Sequence, residues 1–445
     1  MESPISYSRE FGQLIKLAIP LALAQMAQNS LSFIDIVMVG QLGDSALSGM
    51  AIGTATFFFV GMFVAGILYA VSPMVSHLVG ADKEGDIPRA VRQGFWLAFL
   101  AFIPTMIFFW NVEPVLRWLG QEEHVIEKSS AYLKAVSFGM LPYLLMISLR
   151  GYLEGISRGQ PILWICVAGV VMNVFANDAL MFGRYGLPAL GLVGTGIATS
   201  LVYSLMFVIA VVYVWKFARH PVFVELHRFH WPTFRELFRL GLPIGLTIGF
   251  ECSMFTIAAF AMGIIDDKQL AAHQIAIGAA SFSFMIPLGV ALATCVRVGQ
   301  WAGSGKLQNS KRAGQVGMAT ALLSMLGGMI LFGFFPRAVL GFIIDLSNPE
   351  NENVIDFGVT FLRIAAFFQL VDGLQVAASQ SLRGLKKTKE AMVLTLIAYW
   401  WIGVPCCLLL AFTFGFEGAG LWIGMTIGLA MAALMLTWRF HREFH

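Results

Sequence analysis

Three carboxylates stand inside long apolar stretches of this chain: Asp35, Glu251 and Asp372. An acid near the middle of a membrane helix costs roughly 2.5–3.5 kcal/mol on insertion scales. It persists by facing a cavity, by pairing, or by taking a proton. Glu251 and Asp372 each lie about halfway along an expected helix, and no Lys or Arg is expected near mid-helix to neutralise them. A mobile cation is their natural partner; the alternative is a protonated or hydrogen-bonded structural carboxyl. Asp35 sits in the outer half of the first helix. Asn173 and Asn177 are four residues apart in the fifth and so share one face. Thr195 and Thr199 open the sixth on the same outer side. A carboxylate, two amide oxygens and a hydroxyl suit a hard cation, although Asn and Thr also serve simply to tie helices together. Asp178 lies one residue off that face and reads as solvated. His273 and Gln274 stand near the start of the eighth helix. Histidine can titrate near neutral pH, but a helix-end position favours ordinary hydrogen bonding.

Positioning these groups requires many membrane helices. Of 445 residues, 58% are hydrophobic and 12% charged, against about 25% charged in soluble domains. Lipid is the expected solvent. The net charge of +3 is too small and scattered for a nucleic-acid partner. Cys166, Cys252, Cys295, Cys406 and Cys407 all lie in apolar stretches without a CxxC pair, and read as small hydrophobes. No cleavable signal is expected, because the first apolar stretch is long and carries Gln25, Gln28, Asn29 and Asp35. A span needs about 20 mostly apolar residues. Twelve are expected: 13–38, 46–72, 91–112, 131–153, 161–183, 189–215, 237–263, 270–299, 313–336, 357–382, 390–413 and 417–438. The N-terminus and every second loop carry 21 Lys and Arg; the opposite loops carry five, Arg117, Lys128, Arg184, Lys268 and Arg337. The positive-inside rule puts both termini in the cytoplasm.

The two halves resemble each other. Leu14–Pro20 (Leu-Ile-Lys-Leu-Ala-Ile-Pro) matches Leu237–Pro243 (Leu-Phe-Arg-Leu-Gly-Leu-Pro) at an offset of 223, as do Gly80, Lys83 and Arg89 with Gly303, Lys306 and Arg312. Tyr132 matches Phe361, Gly155 matches Gly384, and Gly191 matches Gly420 at an offset of 229. Six helices per copy make the repeats parallel, as in alternating-access transporters. The expected fold is an all-α polytopic membrane protein with two parallel six-helix repeats. Its lobes are residues 1–215 and 237–445, with a cytoplasmic linker at 216–236. Gln28 aligns with Glu251 across the repeat, so equivalent sites have diverged chemically.

Leu270–Gly278 (Leu-Ala-Ala-His-Gln-Ile-Ala-Ile-Gly), Pro287, Val296–Gln300, Asp35–Gly40 and Gly191–Thr199 together resemble the multidrug and toxic compound extrusion (MATE) family. Glu251 with Asp372, the latter within Val371–Gln375, resembles its NorM-type bacterial branch. The resemblance spans nearly the whole chain. It implies secondary active efflux of lipophilic, mostly cationic drugs and dyes in exchange for Na⁺ or H⁺. It further implies a monomer in the bacterial inner membrane, no cofactor, no metal beyond a transported cation, and no catalytic residue. The C-lobe cation site implied is Glu251, Asp372 and Phe368. The N-lobe site implied is Asp35, Asn173, Asn177 and Thr195, Thr195 fitting the family spacing better than Thr199. Gln28, His273, Gln274 and Thr199 are accessory candidates. Sodium-dependent relatives carry a hydroxylated aromatic four residues before the tenth-helix Asp. Phe368 offers only its ring there, which leaves proton coupling open. A lipid or polysaccharide flippase would be expected to line its cavity with basic groups, whereas the mid-membrane charges here are acidic. A membrane enzyme is disfavoured by the absence of GxSxG, HExxH and Walker-type motifs, and a channel by the absence of a filter loop.

Overall fold

Lipid supplies no hydrogen-bonding partner for the backbone, so a chain this apolar must satisfy its amides within helices or a closed barrel. The computed structural model, which describes residues 5–444, takes the helical solution, with no strand among the described residues. The first half contains α1 (Tyr7–Gly40), α2 (Asp44–Leu68), α3 (Val71–Gly80), α4 (Ile87–Trp110), α5 (Glu113–Trp118), α6 (Glu123–Ser137), α7 (Met140–Gly155), α8 (Gly159–Phe182) and α9 (Gly191–Phe217). The second contains α10 (Trp231–Ile265), α11 (Asp267–Gly303), α12 (Leu307–Phe334), α13 (Pro336–Leu340), α14 (Glu352–Gly384), α15 (Thr388–Leu396), α16 (Val404–Leu408) and α17 (Glu417–Arg442).

Eleven helical stretches among the described residues are long and apolar enough to cross a membrane, and α6 with α7, bent by 51°, makes a twelfth. This agrees with the twelve expected spans. Many elements run past the apolar window: α11 has 37 residues against the 30 of its expected span. Large apolar side chains such as Phe33, Trp164, Trp215 and Phe260 are exposed, which a chain solvated by lipid tolerates. Two π-helical segments, Ile397–Gly403 and Leu409–Thr413, flank α16 around Pro405. Proline lacks the amide that would continue an α-helical ladder.

The chain forms two compact units: Ala24–Gly245, the N-unit, and Met1–Leu23 with Leu246–His445, the C-unit. The points of division fall inside α1 and α10, a few residues after Pro20 and Pro243, which are equivalent in the repeat. Against lobes drawn at 1–215 and 237–445, the first 23 residues and the stretch 237–245 change places, and 216–236 packs within the N-unit. There Gln93 Nε2 and Trp96 Nε1 of α4 donate to the carbonyls of Arg228 and Leu226, at 3.3 and 3.1 Å.

In the C-unit, α14 is packed by α11, α12 and α17. Glu10, fully buried, accepts Nε and Nη2 of Arg297 at 2.7 and 2.8 Å and Nε1 of Trp301 at 3.1 Å. Arg297 belongs to the Val296–Gln300 motif. Its role in this arrangement is to hold the start of α1, since a bidentate, charge-assisted pair fixes both position and angle.

Candidate functional site

Asp35 of α1 is buried in the N-unit, and α8 supplies its partners. Asn173 Nδ2 donates to its Oδ1 at 2.9 Å, and Asn177 Nδ2 donates to the same oxygen at 2.6 Å. Thr199 of α9 makes a longer contact, Oγ1 to Oδ2 at 3.5 Å. Thr195, one turn earlier, instead directs its hydroxyl to Met181 Sδ at 3.2 Å, while its backbone carbonyl accepts from Thr199 at 3.0 Å. Of the two threonines, Thr199 is therefore the one that reaches Asp35.

The tight α8–α9 hairpin makes this convergence possible. Gly183 ends α8 at φ 73°, and a Cβ there would fall 2.6 Å from the Ala189 nitrogen. Gly194 lets α9 pass the end of α8: a Cβ would fall 2.4 Å from the Leu180 carbonyl oxygen. Both amide oxygens of the asparagine pair, Asn173 Oδ1 and Asn177 Oδ1, are buried without a hydrogen-bond partner. Leaving a buried polar atom unmet costs about 1–3 kcal/mol. Turning the amides would bring those oxygens beside the carboxylate and build a set of oxygen ligands.

In the C-unit, Glu251 of α10 and Asp372 of α14 line one cavity of about 290 Å³. Its other walls are Cys252, Phe255, Ile277, Ala280, Ser281, Phe284 and Phe368. Phe368 is buried and meets Phe255 and Trp422 edge-on, with ring centroids 6.1 and 5.6 Å apart. Asp372 Oδ1 has no hydrogen-bond partner. The cavity thus combines two acids with aromatic faces, a lining suited to a lipophilic cation.

His273 is buried beside Trp422, ring centroids 5.6 Å apart, with Nδ1 unpartnered, and it is not among the residues lining the cavity. Gln274 is on the exposed side of α11. Gln28 accepts Nη1 of Arg150 at 2.7 Å, and Gln25 accepts from Nη2 of the same guanidinium. Arg150 also bonds Glu154 at 2.8 Å, and both are buried. Arg150 lies inside α7 and is buried in the N-unit, as Arg92 and Arg383 are buried in α4 and α14.

Sequence reasoning also missed Arg383. It is buried near the end of α14 and acts electrostatically on Glu251, so a fixed positive charge does stand near these acids. The repeat offset of 229 pairs Arg383 with Glu154 and Ser379 with Arg150. That exchange of charge between equivalent positions was the available signal.

A duplicated helical membrane protein with buried carboxylates inside each compact unit is the class defined so far. The family model MatE matches residues 20–179 and 243–409, and the chain belongs to that family. It is 40% identical over 443 residues to a probable multidrug resistance protein NorM of Mesorhizobium japonicum, covering 98% of this chain and 95% of that protein. It is 38% identical over 444 residues to the corresponding protein of Rhizobium meliloti, covering 99% and 95%. In fold it is similar to the eukaryotic MATE transporter AtDTX14, with a TM-score of 0.86, 24% identity, and coverage of 97% and 96%. An outward-facing MATE transporter of the MOP superfamily gives a TM-score of 0.89 at 16% identity, covering 99% and 98%.

Proposed function

We propose that this protein is a secondary active multidrug exporter that moves lipophilic or cationic compounds outward by alternating access, in exchange for Na⁺ or H⁺. The cavity of about 290 Å³ bearing Glu251, Asp372 and Phe368 carries this reading. Two acids in an aromatic-walled cavity offer the same negative charge to a cationic drug and to a small cation, so the two compete. The ion's arrival displaces the drug, and its departure restores the site. The names carried by the NorM relatives support drugs as cargo. Asp35 with Asn173, Asn177 and Thr199 forms a second cation site in the N-unit. The protein works as a monomer, without a cofactor and without chemistry on its cargo. Purified protein in liposomes, loaded with ethidium and given a pH or a Na⁺ gradient separately, is expected to move dye against its own gradient under at least one of them. Movement indifferent to both would overturn the reading.

The proposed setting is the bacterial inner membrane with both termini in the cytoplasm. The bias of basic residues toward one set of loops supports this orientation. A single cysteine placed in the loop Gly80–Asp86 is expected to resist a membrane-impermeant maleimide applied to intact cells and to react once the cells are opened. Ready labelling from outside would invert the topology.

A further inference from the structure

Beyond the Glu251–Asp372 cavity, the C-unit holds a second set of buried polar groups. Gln375 and Ser379 follow Asp372 along α14 at steps of three and four residues and so form one stripe with it. All three are buried, and Asp372 Oδ1, Gln375 Oε1 and Ser379 Oγ have no hydrogen-bond partner. Arg383, four residues further on, continues the stripe to the last turn of the helix. A further buried group is Tyr399, from the π-helical segment Ile397–Gly403. Its side chain is fully buried, its hydroxyl is also unpartnered, and it lies within electrostatic reach of Glu251, Asp372 and Arg383. Buried polar atoms are almost always satisfied, by protein or by ordered water. Three unmet oxygens along one helical stripe, with a fourth within electrostatic reach of the first, are a sign of ordered water, and π-helical turns recur at functional sites.

We infer that Asp372, Gln375, Ser379 and Tyr399 hold a chain of ordered water that passes a proton between the Glu251–Asp372 cavity and the Arg383 end of α14, the cytoplasmic end in the proposed orientation. The stripe from Asp372 to Arg383 covers eleven residues, about 16 Å at 1.5 Å per residue. With long side chains at both ends, a few waters span that rise. The step balances simply. The carboxyl of Asp372 loses a proton to the first water, each water passes one on, and the last gives one to the cytoplasmic solvent, leaving a carboxylate. Tyr399 supplies, from another helix, the hydroxyl that Phe368 lacks.

The inference rests on the exporter reading, and the test separates the two. In pulsed hydroxyl-radical footprinting of the full-length protein, bound water should label Tyr399 about tenfold faster than Phe361, an aromatic equally buried but among apolar rings. In proteoliposomes, Tyr399→Phe, which keeps the ring and removes only the oxygen, should slow pH-driven ethidium efflux about tenfold while leaving ethidium affinity unchanged. Ser379→Ala should act in the same direction. Glu251→Gln serves as the control. Slow efflux in both Tyr399→Phe and Glu251→Gln, with Tyr399 labelled, supports the inference. Slow efflux in Glu251→Gln alone, or labelling of Tyr399 no faster than Phe361, overturns it and leaves the exporter reading intact. Wild-type efflux in both variants overturns the inference and leaves Asp372 as the exporter's acting acid, whereas wild-type protein that moves no ethidium under either gradient overturns the exporter reading.

Discussion

Glu251→Gln is expected to reduce gradient-driven dye efflux on the order of a hundredfold, toward the upper end of the 5–150-fold spanned by ordinary coupling free energies. The substitution nearly preserves volume, so insertion and folding should persist. What it removes is the exchangeable charge. Glu251 shares the cavity with Asp372 and three phenylalanines, and a glutamine there neither attracts a cationic drug nor takes up the ion that displaces it. Two measurements on the same purified variant separate these losses: ethidium binding at equilibrium, and ethidium efflux under an imposed gradient. Both should fall. Wild-type efflux would remove Glu251 from the mechanism and leave Asp372 as the acting acid.

A second large effect is expected at Asp35, with a different signature. Asp35→Asn should leave ethidium binding in the C-unit within about twofold of wild type while transport loses its dependence on the ion gradient. The carboxylate collects amide donors from Asn173 and Asn177 and a hydroxyl from Thr199. A cation arriving there would compete for the same oxygens, forcing the asparagines to turn and their unpartnered carbonyls inward. Binding alone drives nothing; the cation must bind one arrangement of α1, α8 and α9 better than another. An asparagine at 35 offers an oxygen but no charge, so that difference should collapse. Normal ion dependence in Asp35→Asn would reduce the N-unit cluster to a structural tie and confine coupling to Glu251 and Asp372.

Much of this architecture was legible because lipid imposes few rules on sequence and enforces them strictly. Twelve apolar stretches of the required length could only be helices. The least regular of them, α6 with α7, is bent just where Phe138 and Gly139 interrupt it. Charge is so costly in such stretches that Asp35, Glu251 and Asp372 stood out by their type alone. Family spacing favours Thr195, but residues four apart share a helical face, so spacing does not say which hydroxyl reaches Asp35. Only the placement of α9 against Met181 decides it. Tyr399 was hidden for another reason: a π-helical turn shifts the angle between successive side chains, so the 3.6-residue periodicity does not report its direction. The burial of Arg150 was not legible because a charge near a helix end looks solvated, whereas Gln25, Gln28 and Glu154 hydrogen-bond it inside the N-unit.

The repeats have also parted company in content. At the repeat offsets, Asp35 corresponds to Ala258, Asn173 to Ile402, Asn177 to Cys406 and Thr199 to Gly428. In the other direction, Glu251 corresponds to Gln28 and Asp372 to Tyr143. Each unit keeps polar chemistry that its counterpart has replaced with apolar, neutral or differently polar groups. A substitution that copied one unit's site into the other would therefore meet the wrong neighbours at nearly every position.

The division of α1 and α10 between the units has a consequence for biogenesis. Residues up to Leu23 belong with those from Leu246 on, made more than 200 residues later, and the N-unit is complete only when Gly245 has been made. A nascent chain halted near residue 215 would hold its first six spans yet lack Trp231–Gly245, and its leading segment would have no Arg297 to receive Glu10. Pairings this distant in sequence close slowly. The early helices are therefore expected to insert before they can finish packing, with the late docking of the α1 start on Arg297 as a slow step of maturation.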